Sequence, residues 1–465
     1  MPDKREVVII GSGPGGYVAA IRLAQLGKRV SVIDIDETRL GGVCLNEGCV
    51  PVKSLINSAS VFSVIKKSDI YGLEADVKPP DMKRIVAVSK NVSAVLRNGL
   101  KGLFKKNGIE FIGGTAKLLS DKRVEIESKN GREEIGADNI IIAVGSSPKQ
   151  IPNVVPDGRN IFTSTEAIRL ETLPGTMLVI GAGAIGVELA SMFSSLGTKV
   201  TIIEMLPHIL PFKDEEISKT LERAFKKRGV EVFTNAKVRG LNKKGSSLEA
   251  VFDTVDGEKK GEFEYVLVAA GRRPNTEGLG LEKAGVKTEG GFIAADEKMR
   301  TSVKNIYAIG DVLNTPMYAH VAYREGIIAA ESIAGVKSEI IDYDAIPHVI
   351  FSEPQIAGVG LTEGEAREKG YDAAISKHFF KANSKAVINR SDEGFIKIIA
   401  DKKTRKLLGV YVIGEDATEI IHEFVLAKTA GLTVDDIARA VHAHPTLSEI
   451  ASDAAKAVFG KPIHG

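Results

Sequence analysis

Two stretches of this 465-residue chain follow one plan. Residues 6–34 read EVVIIGSGPGGYVAAIRLAQLGKRVSVID, and residues 176–204 read TMLVIGAGAIGVELASMFSSLGTKVTIIE. Each passes from an apolar run through a glycine turn into an amphipathic helix, closed by Gly27 or Gly197. A second apolar strand then ends in an acid. Gly11, Gly13 and Gly16 match Gly181, Gly183 and Gly186 in spacing, and Asp34 matches Glu204. In a βαβ unit of this kind the first glycine makes the turn and the second admits a pyrophosphate. The third lets helix and strand pack closely, and the helix N-terminus faces the anion. One G-x-G-x-x-G is weak evidence. Two of them, each between strand and helix with an acid at ribose distance, predict two dinucleotides in two separate domains. Glu204 is followed by MLPHIL, which has no arginine, so the second site suits NAD rather than NADP. His208 in that loop is expected to be solvated.

The chain has only two cysteines, Cys44 and Cys49, both in GGVCLNEGCVPVKS at residues 41–54. A zinc site needs about four ligands, and the nearest histidine in sequence is His208, so no metal is expected. Two inert buried thiols are a weaker reading for a pair in one glycine-rich stretch behind a nucleotide unit. A redox pair uses every feature. The loop is too short for much closure stability, so a bridge here serves exchange. Pro51 and Lys53 lead into an apolar, helix-like segment, and a helix N-terminus and a lysine both favour thiolate. A dithiol delivers two electrons and NAD accepts a hydride; a flavin connects them. FAD is therefore expected in the first unit and NAD in the second.

Composition excludes other classes. The 43% hydrophobic and 26% charged content suit a packed globular protein, and a net charge of +2 gives no reason to expect nucleic acid. No unbroken run of eighteen apolar residues appears, so no membrane association is expected. The start MPDKREVVII reaches a strand-like run within six residues, which leaves no room for a leader. The expected compartment is the cytoplasm, since two cysteines are unlike a disulfide-stapled secreted scaffold.

With these motifs in hand, the chain resembles the pyridine nucleotide–disulfide oxidoreductases along essentially its whole length. GGVCLNEGCVPVKS is similar to the redox motif of that family, TSVKNIYAIGDV to its second FAD signature, VLVAAGRRPNT to its exit from the NAD domain, and HAHPTLSE to its C-terminal catalytic motif. The last also has a chemical reading. Thiol exchange needs a base near neutrality, for which histidine is suited. Glu449, five residues after His444, can orient the ring, and Pro445 is expected at the first helical position. His442 is the competitor, and the resemblance favours His444.

The resemblance implies an α/β fold: two Rossmann-like domains for FAD and NAD, plus a C-terminal α+β dimerisation domain. The expected boundaries are 1–148 for FAD, 149–271 for NAD, 272–341 for a central segment returning to the FAD domain, and 342–465 for the interface. It implies an enzyme that oxidises dihydrolipoyl groups with NAD. Cys44 would be the interchange thiol, Cys49 the flavin-facing thiolate, and His444 with Glu449 the base. Lys53 would approach the flavin and Glu188 the nicotinamide. Further FAD contacts are implied at Ala116, Gly145, Asp311, Met317, Ala319 and His320, and NAD contacts at Val238 and Gly271. The implied partners are a second copy, giving shared active sites, and a lipoylated E2 or glycine cleavage H protein. Val43, Val52 and AVGSSP depart from the family pattern without removing a reacting group, and Glu47 stands where valine is usual. A negative charge there is expected to disfavour thiolate and alter the redox poise. The KKRG run at 226–229 is expected to be a solvated helix end.

Rival readings are other disulfide reductases or a non-catalytic scaffold. NADP-dependent glutathione reductase-like enzymes conflict with Glu204, and mercuric and large thioredoxin reductases need a further cysteine pair that FGKPIHG lacks. A single-cysteine coenzyme A disulfide reductase does not match two cysteines, and joint retention of Cys44, Cys49, His444 and Glu449 argues against a scaffold.

Overall fold

A computed structural model describes residues 4–210 and 214–464. Its first sheet runs, in spatial order, Glu110–Gly113, Val30–Asp34, Lys4–Ile10, Gly131–Ile142, Arg123–Ser128 and Thr115–Ser120. The strand Lys4–Ile10 lies parallel to both neighbours, pairing Val8 with Ser31 and Ile140. Val7, Val8 and Ile9 are fully buried, as continuous apolar strands covered on both faces must be. Strand Ile306–Ala308 joins this sheet beside Gly131–Ile142, with Ile306 opposite Ile140. The chain thus leaves the first sheet and returns to it.

Between these passages lies a second parallel sheet, ordered Glu231–Phe233, Lys199–Ile203, Thr176–Ile180, Tyr265–Val268 and Ile161–Phe162. A three-stranded antiparallel meander, residues 237–263, is inserted before its fourth strand. Two short strands, Ser146–Pro148 and Arg272–Pro274, pair antiparallel where the chain crosses out and back. The last sheet is antiparallel, ordered His348–Ile350, Gln355–Gly360, Leu407–Gly414, Phe395–Asp401 and Ala373–Phe379. Helices Ala417–Thr429 and Glu449–Phe459 cover it with a core that includes Ile421, Phe424 and Ile450.

Buried charge joins the second sheet's unit to the last. Lys397, 8% exposed in its side chain, meets Asp214 at 3.0 Å and Glu216 at 3.1 Å. Arg228, in the run expected to be solvated, donates to the Glu353 carbonyl at 2.7 Å. That expectation is corrected for this residue: charge runs read as solvated only until a distant carbonyl comes within reach.

The helical run Gly42–Lys66 is long and apolar enough, by length and composition, to cross a membrane. Its Glu47 and Lys53 are ion-paired to residues of other elements, and Ser89 donates to its Pro51 carbonyl at 3.1 Å. Such pairings belong to a helix packed on polar neighbours, because charges are costly in hydrocarbon. Val61 and Val64 on its far half are exposed.

Candidate active site

The glycines of the two repeats divide by function. Gly11 and Gly181 have φ of 102° and 99°, and a Cβ on either would lie 2.3 or 2.6 Å from the backbone oxygen of Ala143 or Ala269, just past the end of a neighbouring strand. A Cβ at Gly16 or Gly186 would lie 2.0 Å from the oxygen of Gly11 or Gly181. These four are required by the protein itself. A Cβ at Gly183 meets no protein atom within 4 Å, and one at Gly13 only Gly42 Cα at 4.0 Å. Both are N-caps without a side-chain cap, so the first N–H groups of the two helices point outward unmatched. That is the cradle a pyrophosphate fits.

The acids repeat as well. Asp34 accepts from the Ser12 N–H at 2.8 Å and Glu204 from the Ala182 N–H at 2.7 Å, each the residue after the first glycine. The Asp34 carbonyl takes the Gly114 N–H at 2.8 Å, and the Glu204 carbonyl takes the Ala236 N–H at 2.9 Å. Ala116 and Val238 sit two residues beyond these donors, so the structure gives them equivalent places beside the two acids. Gly145 and Gly271, both at positive φ, directly precede the short paired strands Ser146–Pro148 and Arg272–Pro274. His208 lies 3.3 Å from Glu215 and is partly exposed.

Asp311 accepts from the Ser146 hydroxyl at 2.5 Å. Its loop is held from behind by Glu325, a fully buried carboxyl that the sequence reading missed. Glu325 accepts from the Gly310 N–H at 2.6 Å, the Thr315 hydroxyl at 2.9 Å and the Tyr343 hydroxyl at 3.1 Å. Burial pushes its pKa up to about 7 against those three bonds. Met317 lies just ahead of the helix Ala319–Ala334, whose N-terminus also lacks a side-chain cap. His320 donates from Nε2 to the Pro347 carbonyl at 2.9 Å and stacks on Tyr318; burial lowers its pKa.

The two cysteines occupy consecutive helices, Gly42–Glu47 and Cys49–Lys66, with Gly48 between them. Both are free thiols, Cys44 half-buried and Cys49 exposed at the first position of its helix. They are unequal. The hydrogen bond from Cys44 is the largest cause lowering Cys49 to about 7; partial desolvation of the sulfur by the protein around it opposes this, and the Lys53 charge adds to it. The same bond, followed by burial, pushes Cys44 up. Lys53 Nζ lies 2.7 Å from Glu188 Oε2, and Glu188 Oε1 accepts the Phe351 N–H at 3.0 Å. Asn46 staples the turn, donating to the Gly42 and Leu40 carbonyls and accepting from Arg97 at 2.6 Å. Asn46, Arg97 and Phe351 were not singled out from sequence: nothing in the sequence near Arg97 or Phe351 marks them as neighbours of the thiols.

Glu47 does not face the thiols as a free charge. Arg39 reaches its carboxylate at 2.7 Å and Arg169 at 2.9 Å. The negative charge attenuating Cys49 is that of Glu188. The expectation that Glu47 disfavours the thiolate is therefore corrected.

At the C-terminal motif, His444 Nδ1 donates to Glu449 Oε1 at 2.9 Å, and the Thr446 N–H holds Oε2 at 2.8 Å. Burial pushes the Glu449 carboxyl up, but these two donors outweigh it and hold it low. Nε2 is left for exchange, on a side chain 69% exposed. Pro445 is not at the first helical position: the helix begins at Glu449, after a turn closed by the Thr446–Glu449 bond. His442 is 10% exposed and spends its ring nitrogens on the Ala440 carbonyl and Glu423. Geometry thus separates the two histidines. Among the described residues, no hydrogen bond or ion pair joins His444 to either cysteine.

Two nucleotide cradles, an unequal thiol pair and an exposed His–Glu pair stand on one chain. Residues 5–326 match the sequence profile of the pyridine nucleotide-disulphide oxidoreductases, and residues 346–455 match the dimerisation domain of the same family. The chain belongs to this family. As a member of it, the chain is an oxidoreductase that forms a homodimer, and FAD and NAD are its cofactors. It is 43% identical to the dihydrolipoyl dehydrogenase of Thermus scotoductus, with 99% of this chain and 98% of the relative covered. It is 41% identical to that of Bacillus subtilis, covering 100% and 98%. Among solved structures, LpdA from Mycobacterium tuberculosis matches with a TM-score of 0.91 at 28% identity, over 97% of this chain and 99% of that one. The HOCl-induced flavoprotein disulfide reductase RclA from Escherichia coli matches at 0.87 and 28%, over 97% and 100%.

Proposed function

We propose that this enzyme oxidises protein-bound dihydrolipoyl groups to the cyclic disulfide, with NAD as final acceptor. The observation that carries this reading is geometric: Cys44 and Cys49 stand either side of Gly48 in consecutive helices, Cys49 at a helix N-terminus with the Glu188-held Lys53 one turn on, on a chain that also presents an exposed, Glu449-oriented His444. Full-length relatives named dihydrolipoyl dehydrogenase support it.

Bound FAD would supply the two-electron passage between thiols and nicotinamide. The residues of the chain do the rest. A substrate thiolate attacks Cys44, and the electron pair of the Cys44–Cys49 bond goes to Cys49, the sulfur better able to hold it. The second substrate sulfur then displaces Cys44. Of the two substrate protons, one rests on the imidazole of His444 and one on Cys44, so charge and electrons balance. Glu449 fixes the tautomer and stabilises the imidazolium. Lys53 sustains the Cys49 thiolate, and Glu188 keeps Lys53 in place. His444 lies on the dimerisation domain, so we assign it to the thiols of a second copy, each active site being shared. The substrate carrier is a lipoylated E2 subunit or a glycine cleavage H protein.

Mixing the protein with dihydrolipoamide and NAD tests the reading: NADH should form, whereas NADPH with glutathione disulfide should give no turnover. His444→Ala should slow the dithiol half-reaction ~10²–10⁴-fold and spare reduction by NADH. His442→Ala should leave both half-reactions near normal. No NADH from dihydrolipoamide, or equal losses in both half-reactions for His444→Ala, would overturn it.

A further inference from the structure

Phe351 opens the turn between the first two strands of the last sheet, His348–Ile350 and Gln355–Gly360. That turn lies along the helix Ala184–Leu196, which holds it from Glu188, Ser191 and Ser195, three positions on one helical face. Glu188 Oε1 accepts the Phe351 N–H at 3.0 Å, and the Ser191 hydroxyl oxygen accepts the Glu353 N–H at 3.0 Å. Ser195 donates to the Glu353 carboxylate at 3.5 Å, and Arg228 donates to the Glu353 carbonyl at 2.7 Å. The backbone of residue 351 is thus fixed without its side chain.

That side chain meets the redox helix. Lys53 Nζ stands over the Phe351 ring, 4.8 Å from its centroid, within the range at which an aromatic face attracts an ammonium. The same nitrogen lies 2.7 Å from Glu188 Oε2. Phe351 therefore touches both members of the ion pair, the carboxylate through its N–H and the ammonium through its ring. Three elements close on one charge: the redox helix, the helix of the second nucleotide unit and a turn of the last sheet.

The place of that charge matters to the thiols. Lys53 comes four residues after Cys49 in one helix, which puts the two side chains on one face. An ammonium held one turn from a thiol favours its thiolate. A lysine stem is flexible, however, and that of Lys53 is partly exposed. Released into water, its charge would be screened.

We propose that Phe351 is a positioning residue for the redox thiols: its N–H orients Glu188, its ring retains the Lys53 ammonium, and the two together keep a positive charge beside Cys49. Phe351 exchanges no proton or electron and acts only through Lys53. The inference rests on the role given to Cys49 under the proposed function, but its test reads the thiol rather than turnover.

The reduced holoenzyme is alkylated with iodoacetamide over a range of pH, and the rate at Cys49 is read by peptide mass. Phe351→Leu keeps the backbone bonds to the helix and removes the ring, whereas Phe351→Tyr keeps the ring. The other ionisable groups that act on Cys49, which are Cys44, Glu188, Arg272 and Tyr323, stay in place in every variant. Phe351→Leu should slow Cys49 alkylation on the acid side of its profile roughly 2–5-fold, the weight of an ammonium–ring contact at a partly exposed site. The profile should move to higher pH, and Phe351→Tyr should react as the parent does. In a Lys53→Met background Phe351→Leu should have no further effect, because the ring acts through the ammonium. An unchanged Cys49 profile in Phe351→Leu overturns the proposal. So does the same shift with and without Lys53, or a shift as large in Phe351→Tyr. If Phe351→Leu does not fold, Phe351→Met is read in its place with the same expectations. A Cys49 shift without any NADH from dihydrolipoamide would end the proposed function and leave Phe351 in its role.

Discussion

Lys53 Nζ lies 2.7 Å from Glu188 Oε2, an ion pair that joins the redox helix to the helix of the second nucleotide unit across 135 residues of chain. The Glu188 side chain is 6% exposed and that of Lys53 33%, so the pair is asymmetric: removing the lysine leaves a buried carboxylate without its counter-charge. Lys53→Met should destabilise the protein by about 2–3 kcal/mol, toward the lower end for breaking buried pairs because Lys53 remains partly solvated. It should also raise the pH at which Cys49 alkylates, since the Lys53 charge favours the thiolate. Thermal denaturation and peptide-resolved alkylation check the two effects. A variant with a normal Cys49 profile would remove Lys53 from the thiol chemistry.

Glu47 gives the opposite expectation. Its carboxylate is already matched by Arg39 and Arg169, so its field at the thiols is largely cancelled. Glu47→Val should leave the thiol–disulfide potential unchanged, measured by equilibration with a dithiol buffer, and cost about 1 kcal/mol of stability as the two guanidinium contacts are lost. A shifted potential with unchanged stability would show that the arginines do not neutralise it.

The glycines of the second repeat allow a separation of folding from binding. Gly186→Ala places a Cβ 2.0 Å from the Gly181 oxygen and should lower the melting temperature or prevent folding. Gly183→Ala meets no protein atom within 4 Å and has φ −72°, so stability should change by less than about 0.5 kcal/mol. Its pyridine nucleotide affinity should nonetheless fall, seen as a raised KM for NAD. Equal melting temperatures for the two variants would contradict this division.

Glu325 carries a pH prediction. Its pKa is pushed up to about 7 by burial, above the ordinary carboxylate value near 4.3. A raised folded-state value means the contribution is full below the unfolded pKa and is lost as pH rises through the folded one. On this account the protein should lose stability between about pH 4.5 and 7. Glu325→Gln cannot ionise and should flatten that slope, followed as melting temperature against pH. It should also loosen FAD, because an amide cannot accept from Gly310, Thr315 and Tyr343 at once.

What the sequence by itself determined is local. The spacing of Gly11, Gly13 and Gly16, repeated at Gly181, Gly183 and Gly186, specifies a strand–turn–helix whose geometry depends on backbone sterics within one turn. Cys44 and Cys49 are likewise close enough in the chain to meet in almost any fold. Only the tertiary structure decided the electrostatics. The family resemblance already favoured His444 over His442, but the physical reason, the burial of one ring and the exposure of the other, came from the structure. The quieting of Glu47 needed Arg169, 122 residues away, and the charge beside Cys49 comes from Glu188 on the helix of the second nucleotide unit. Charge acts through space at a few ångströms, and sequence distance carries no record of which side chains the packing of distant elements brings that close.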